Sequence, residues 1–281
     1  MKPGVTRSFA FLCTLVAAFF AVTAAPWADS QAAAPSQAAQ APATGAQAPA
    51  TVMPSCPELA RAISDVVRND NRMRDWAGLA RYRDANRALP PPKAGEARVL
   101  FMGDSITDFW QRPQFGGFFP GKPYVDRGIS GQTTPQMLVR FRADVIALAP
   151  KAVVILAGTN DIAGNTGPST LEMIEDNLAS MVDLAQKNGI KVVLSSVMPV
   201  CDYIQNQTTR RPNEQIVALN KWIKEYAAGH NAIYLDYYHA MLDDKGVLKQ
   251  EITFDGLHPN TAGYDIMVPM AQKAIDEALG K

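Results

Sequence analysis

Ser105, Asp255 and His258 are residues of the right types, at suggestive places, for acyl transfer. Ser105 follows the apolar run Val99–Met102 through Gly103-Asp104. A serine hydroxyl is a weak nucleophile until a base takes its proton. Imidazole suits that task near neutral pH, and a carboxylate on the other ring nitrogen fixes the tautomer. The chain has only three histidines, so the candidates for base are few. His258 lies three residues after Asp255 in the tract DGLHPN, where Pro259 restricts its backbone. His230 follows Gly229 at an expected helix end, where a surface role is the simpler reading. His239 follows the last apolar run, in an aromatic segment, and stays a competitor as base.

Attack on an ester carbonyl creates an oxyanion, which needs preorganised donors. The Ser105 backbone N–H can supply one. Gly131 can bring a second N–H close because it has no side chain to obstruct approach. The Asn160 amide can supply a third. Each residue also has a plainer reading. Ser105 can cap a helix, Asp255 or Asn260 can start one, and Gly131 and Asn160 can be turn residues.

These residues must be positioned by regular elements. Short apolar runs occur at Val99–Met102, Tyr124–Asp126, Ala152–Ala157, Val192–Val197 and Ile233–Asp236. Helical patterns at Pro135–Ala149, Ser169–Asn188, Asn213–Ala228 and Thr261–Leu279 lie between and after them. Alternating strands and helices predict an α/β fold with a parallel sheet covered on both faces. Continuous runs such as AVVILA and KVVLSSV suit strands buried on both sides. In such sheets ligands bind beyond the carboxyl ends of the strands. Gly103-Asp104-Ser105, Gly128–Thr133 and Gly158–Asp161 all fall there.

Upstream, Lys2 and Arg7 precede an apolar stretch from Phe9 to Ala25, which reads as a signal peptide over 1–25. An uncleaved anchor is the alternative. Cys13 lacks the residues of a lipobox before it. Residues 26–55 are nearly all Ala, Pro, Gln, Ser and Thr, and read as a disordered linker. Residues 56–96 are expected to form a helical extension, with helical spacing carried from Pro57 to Leu89 through Trp76, Leu79 and Ala80. The catalytic domain is expected at 97–281.

Composition removes other functions. The 27 Lys+Arg balance 27 Asp+Glu, so no basic field favours nucleic acid. No His or Cys pair has metal-ligand spacing, which leaves no zinc-ribbon or iron–sulfur framework, and neither metal nor cofactor is expected. There is no phosphate-binding P-loop, no complete Gly-x-Gly-x-x-Gly after the first strand and no Gly-x-Ser-x-Gly elbow.

RVLFMGDSITDFW, DRGISGQTT, GTND and DGLHP, in that order, resemble the conserved blocks of the SGNH hydrolase family, the GDSL esterases and lipases. The tract around Ser105 is most similar to the branch of platelet-activating-factor acetylhydrolase subunits and lysophospholipase-like esterases. The resemblance covers about residues 97–279. It implies a flavodoxin-like three-layer α/β/α sandwich with a five-stranded parallel sheet. It also implies a catalytic triad of Ser105, Asp255 and His258, and an oxyanion hole of the Ser105 N–H, Gly131 and Asn160. Asp104 is then expected to brace the turn. Ile106 stands where the GDSL pattern has leucine.

The resemblance implies a serine esterase working through an acyl-enzyme, and the leader implies that it is exported, to the periplasm or outside the cell. A small-molecule or glycan ester is the expected substrate, with short acyl groups such as acetyl favoured. A lysophospholipase or thioesterase for longer chains is the alternative. A carbohydrate-binding module on the same fold is the reading from another class. No stable membrane insertion is expected after leader cleavage, and oligomeric state is not legible. Phe109, Trp110, Phe115, Phe118 and Phe119 follow the nucleophile, and a loop folded onto the core is favoured over a pocket wall. Arg210 and Arg211 could meet an acidic substrate, but the simpler reading makes them surface arginines. Whether Cys56 and Cys201 pair is left open.

Overall fold

The computed structural model describes residues 55–115 and 117–281. The expected signal peptide, and all of the expected linker except Ser55, lie outside the described residues. Among those described, no helix is long and apolar enough to cross a membrane.

The apolar runs form β1 (Val99–Gly103), β2 (Tyr124–Gly128), β3 (Ala152–Leu156), β4 (Lys191–Ser195) and β5 (Ile233–Leu235). All are parallel, in the spatial order β2-β1-β3-β4-β5. Register pairs Val99 with Ala152, Val153 with Val192 and Val193 with Ile233.

Strand side chains alternate between two cores. Leu100, Met102, Val153, Ile155, Val192 and Leu194 enter one core with Met137 and Phe141 of α4 (Thr134–Asp144). The same core takes residues from α6 (Leu171–Lys187) and α7 (Asn213–Gly229). Val99, Phe101, Val154 and Val193 enter the other, against α3 (Ser105–Trp110) and α9 (Thr261–Ala278). The result is the expected three-layer α/β/α sandwich. A fully buried strand residue such as Ile155 contributes about 1.5–3 kcal/mol by leaving water.

Helix starts follow sequence signals. Thr133 and Gln136 form a capping box ahead of α4, with Pro135 in its first turn. Thr170 caps α6, and Asn260 caps α9 through the Gly263 N–H.

The helical reading of Pro57–Leu89 needs correction in its middle. α1 covers Cys56–Arg74 and α2 covers Arg83–Ala88, but residues 75–82 are turns. Gly78 sits at φ +69°, which suits glycine and breaks a right-handed helix. The Asp75 carboxylate accepts the N–H groups of Leu79 and Ala80 at 2.7 and 2.8 Å, offering the backbone a turn instead. Trp76 and Leu79, whose spacing extended the helical pattern, therefore lie on turns and stay exposed.

This stretch is bonded to the body of the domain. Gln136 and Gln132 side chains donate to the Trp76 and Ala77 carbonyls at 2.6 and 2.7 Å. The Tyr82 hydroxyl donates to the carbonyl of Gly128. Residues 75–82 thus form a wall beside the carboxyl ends of β1 and β2. Cys56 is exposed and Cys201 is buried, and both are free thiols.

Candidate active site

Ser105 opens α3 directly past β1, next to the switch point where chain order reverses between β1 and β3. The helix cap is Asp104, whose Oδ1 accepts the Ile106 N–H at 2.9 Å. The capping reading of Ser105 therefore gives way, and its hydroxyl is left for another partner. That partner is His258, with Oγ and Nε2 2.8 Å apart. His258 Nδ1 lies 2.6 Å from Asp255 Oδ2.

The loop holding this pair is tightly built. Asp255 Oδ1 accepts the N–H groups of Leu257 and His258 at 3.0 and 2.8 Å. The Thr253 hydroxyl donates to the His258 carbonyl at 2.7 Å and accepts the Gly256 N–H at 3.0 Å. Gly256 has φ +89°, and a Cβ there would lie 2.3 Å from the Cys201 carbonyl oxygen. Only glycine fits that turn.

Asp236 and His239 repeat the same spacing and the same Nδ1 contact, at 2.8 Å. His239 is exposed and has Asp236 as its side-chain partner, so of the two candidates only His258 meets Ser105. His230 stacks on Tyr226 and bonds its carbonyl.

The three expected oxyanion donors lie at the ends of β1, β2 and β3. Among the described residues, neither the Ser105 N–H nor the Gly131 N–H has a protein acceptor. Gly131 adopts φ +82°, and a Cβ built there would meet nothing closer than 3.9 Å. Backbone conformation, more than room for approach, is thus what the protein itself demands of this glycine. Asn160 lies in the short α5 (Thr159–Ile162) and is buried. Its Nδ2 donates to the Gln132 carbonyl at 3.0 Å and faces Asp104 Oδ2 at 3.4 Å. The second contact is long, so that hydrogen is open to a stronger acceptor.

Sequence reasoning missed what stands behind these donors. Arg211 is 5% exposed, not a surface residue. Its guanidinium donates to Thr159 Oγ1 at 3.1 Å, Gln207 Oε1 at 3.0 Å and Asn160 Oδ1 at 3.4 Å. Gln207 in turn donates to the Asp255 carbonyl at 3.1 Å. Arg210 donates to Asn165 Oδ1 at 2.8 Å, and Asn165 Nδ2 donates to the Gly131 carbonyl at 3.1 Å. Two consecutive arginines therefore brace both the Asn160 amide and the Gly131 peptide from one loop. Nothing in the local sequence signals this, because the site-side partners Asn165, Asn160 and Thr159 lie 45 to 52 residues away.

The aromatic residues after Ser105 divide into two groups. Trp110, Phe118 and Phe119 pack edge-on or tilted around Phe101 of β1, the core role expected for all of them. Phe109 and Phe115 instead gather with Phe254, which the sequence reading overlooked. The Phe254 ring stacks 5.5 Å from the His258 ring, and Phe109 lies 5.0 Å from it. An apolar wall thus stands beside the imidazole.

Burial pushes the Asp104 carboxyl up to about 6, against the Ile106 N–H and the nearby His258 and Arg211. Partial burial also pushes Asp255 up, but its bonds from His258 and the Leu257 N–H together outweigh this and hold it below the ordinary carboxylate range. Asp255 therefore stays ionised at neutral pH and can hold an Nδ1–H. No cluster of three or more His, Cys, Asp or Glu among the described residues could hold a metal ion.

The chain is similar to an acetylxylan esterase of Geobacillus stearothermophilus, 26% identical over 200 residues that span 60% of this chain and 90% of that protein. Among solved structures, it resembles a GDSL-like lipase of Bacteroides thetaiotaomicron at 42% identity and TM-score 0.68, covering 72% of this chain and 98% of the other. A variant of an acetyl-xylooligosaccharide esterase of Geobacillus stearothermophilus matches at 25% identity and TM-score 0.53, covering 64% of this chain and 94% of that one. Residues 101–266 match the profile of the GDSL-like Lipase/Acylhydrolase family, and this chain belongs to that family, an ester-hydrolysing enzyme on the SGNH fold.

Proposed function

We propose that the enzyme removes short acyl groups, acetyl foremost, from carbohydrate through an acyl-enzyme on Ser105. One observation carries the reading. A continuous hydrogen-bonded chain runs from Ser105 Oγ through His258 to Asp255, beside two backbone N–H groups without an acceptor among the described residues.

In this mechanism His258 Nε2 takes the Ser105 proton as Oγ attacks the ester carbonyl carbon. The carbonyl π pair moves onto oxygen, which the Ser105 and Gly131 N–H groups and the Asn160 amide receive. Asp255 holds the Nδ1–H and stabilises the imidazolium. The tetrahedral centre collapses, His258 gives its proton to the departing alcohol, and the acyl group remains on Ser105. Water then repeats the sequence with His258 as base, releasing the acid and restoring the serine. No metal or cofactor is needed for these steps.

Export is part of the proposal, resting on the basic and apolar residues before Ala25, with residues 26–55 as a linker to the catalytic domain. The acetyl preference draws support from the similarity to esterases named for acetylxylan and acetyl-xylooligosaccharide. A second reading has its own support: the wall of Phe109, Phe115 and Phe254 beside His258 suits a longer acyl chain, as in a lysophospholipase or thioesterase. Membership of a hydrolase family, with the serine, aspartate and histidine intact, weighs against a carbohydrate-binding module.

Rates on 4-nitrophenyl esters of increasing chain length separate these readings. We expect kcat/KM to be highest at acetyl and to fall by about tenfold or more by octanoyl, each tenfold step corresponding to about 1.4 kcal/mol in the barrier. A rate that climbs with chain length assigns the enzyme to the second reading.

A further inference from the structure

A cavity of about 830 Å³ opens beside Gly131. Its volume falls within the roughly 300–1,000 Å³ of small-molecule sites. One wall comes from the turn segment 75–82. Trp76 is 44% exposed there, with Met73 and Ile129 extending the apolar surface. The other walls are polar. Asp75, Asn165 and Arg210 line them, along with the serine, threonine and glutamine side chains of the neighbouring loops.

The lining has spare hydrogen-bonding capacity. Arg210 uses only its Nη2 on protein acceptors, leaving Nε and Nη1 without one among the described residues. Asn165 Nδ2 spends one of its two hydrogens, on the Gly131 carbonyl. The Asp75 oxygens each accept a single backbone N–H and retain lone pairs.

We propose that this cavity is a glycan subsite, in which Trp76 supports a sugar ring of the ester's alcohol while Arg210, Asn165 and Asp75 meet its hydroxyls. This deepens the acetyl-ester reading and rests on it. An acetyl group needs room only for a methyl, so a cavity of this size beside an oxyanion donor is left to the alcohol. An alkyl chain laid here would strip water from Arg210 and Asp75 without replacing its hydrogen bonds, which is costly. A sugar offers hydroxyls at its edge and C–H groups on its face, matching polar walls and an open indole together.

The experiment compares the wild type with Trp76→Ala and Trp76→Phe. The Trp76 carbonyl that accepts Gln136 belongs to the backbone and survives both changes. Kinetics are measured on 4-nitrophenyl acetate and on acetylated xylooligosaccharide, and calorimetry measures binding of the bare xylooligosaccharide. We expect Trp76→Ala to raise KM on the acetylated oligosaccharide about 3- to 10-fold, at unchanged kcat. Bare-sugar affinity should fall by a similar factor, kcat/KM on 4-nitrophenyl acetate should hold, and Trp76→Phe should recover most of the loss.

Unchanged KM and unchanged sugar binding in Trp76→Ala would overturn the subsite while leaving the esterase reading intact. Equal losses on both substrates would also overturn it, since they mark a structural role. A loss seen only with long-chain nitrophenyl esters would give the cavity to the acyl chain instead. A wild type that binds the bare sugar through Trp76 yet leaves its acetyl ester untouched would support the subsite and reject the carbohydrate-ester function.

Discussion

Replacing Ser105 by alanine is expected to lower kcat on 4-nitrophenyl acetate by about 10⁴- to 10⁶-fold while the protein stays folded. Among the described residues the hydroxyl has one side-chain partner, Nε2 of His258 at 2.8 Å, so its removal takes the atom proposed to attack and little else. The turn survives, because Asp104 and not Ser105 caps α3. His258 keeps its Nδ1 contact and its backbone N–H bond to Asp255. Circular dichroism and the melting temperature should match wild type within a few degrees, since the change removes one oxygen and leaves the helix cap and the strand packing in place. Retained turnover in this folded variant would remove Ser105 as nucleophile.

Asp255→Asn has a second large expected effect, through a proton on the far side of the imidazole. Asp255 Oδ1 accepts two backbone N–H groups, from Leu257 and His258. An asparagine must keep its carbonyl oxygen there to preserve the loop. Its amide nitrogen then falls at the Oδ2 position, 2.6 Å from His258 Nδ1 in the wild type. Nδ1 must now accept a hydrogen, which moves the ring proton to Nε2. Nε2 then carries a proton and can no longer accept the one from Ser105. A loss of about 10⁴-fold in kcat at neutral pH is expected, with KM and melting temperature little changed. A loss below about 10-fold would show that Asp255 does not set the tautomer.

Much of the framework is legible in the sequence because each strand is buried on both faces. Val153, Val154 and Ile155 alternate between two cores, so all three must be apolar, and the run stands out. The site residues are legible for a related reason. In a parallel sheet the chain turns immediately past the carboxyl end of a strand, so Ser105, Gly131 and Asn160 fall at short distances after apolar runs. His258 is identified by Asp255, yet spacing alone does not select it. Asp236 and His239 carry the same three-residue offset and the same ring contact, and only the fold brings His258 to Ser105.

What stays illegible depends on distant partners or on backbone conformation. Arg211 looks like a surface arginine because two of its three acceptors, Thr159 and Asn160, are about fifty residues upstream. Buried in that position, a guanidinium needs acceptors, and the fold supplies three, on Thr159, Asn160 and Gln207. Trp76 and Leu79 continue a helical spacing that Gly78 and the Asp75 carboxylate interrupt. Their departure from the helix forms the wall of the cavity beside Gly131. Phe254 has no periodic signal, since it lies in an irregular loop whose course is set by Thr253 and Asp255.

The central claim is that the acyl group passes through Ser105. The most direct test mixes stoichiometric enzyme with 4-nitrophenyl acetate, quenches in acid during the first turnover, and maps the acetylated peptide by mass spectrometry. The account predicts one acetyl group per active enzyme on the peptide holding Ser105, Ser105 itself as the modified residue, and no such adduct in Ser105→Ala. An adduct on another residue, or hydrolysis that proceeds with full turnover after Ser105 is removed, would contradict it.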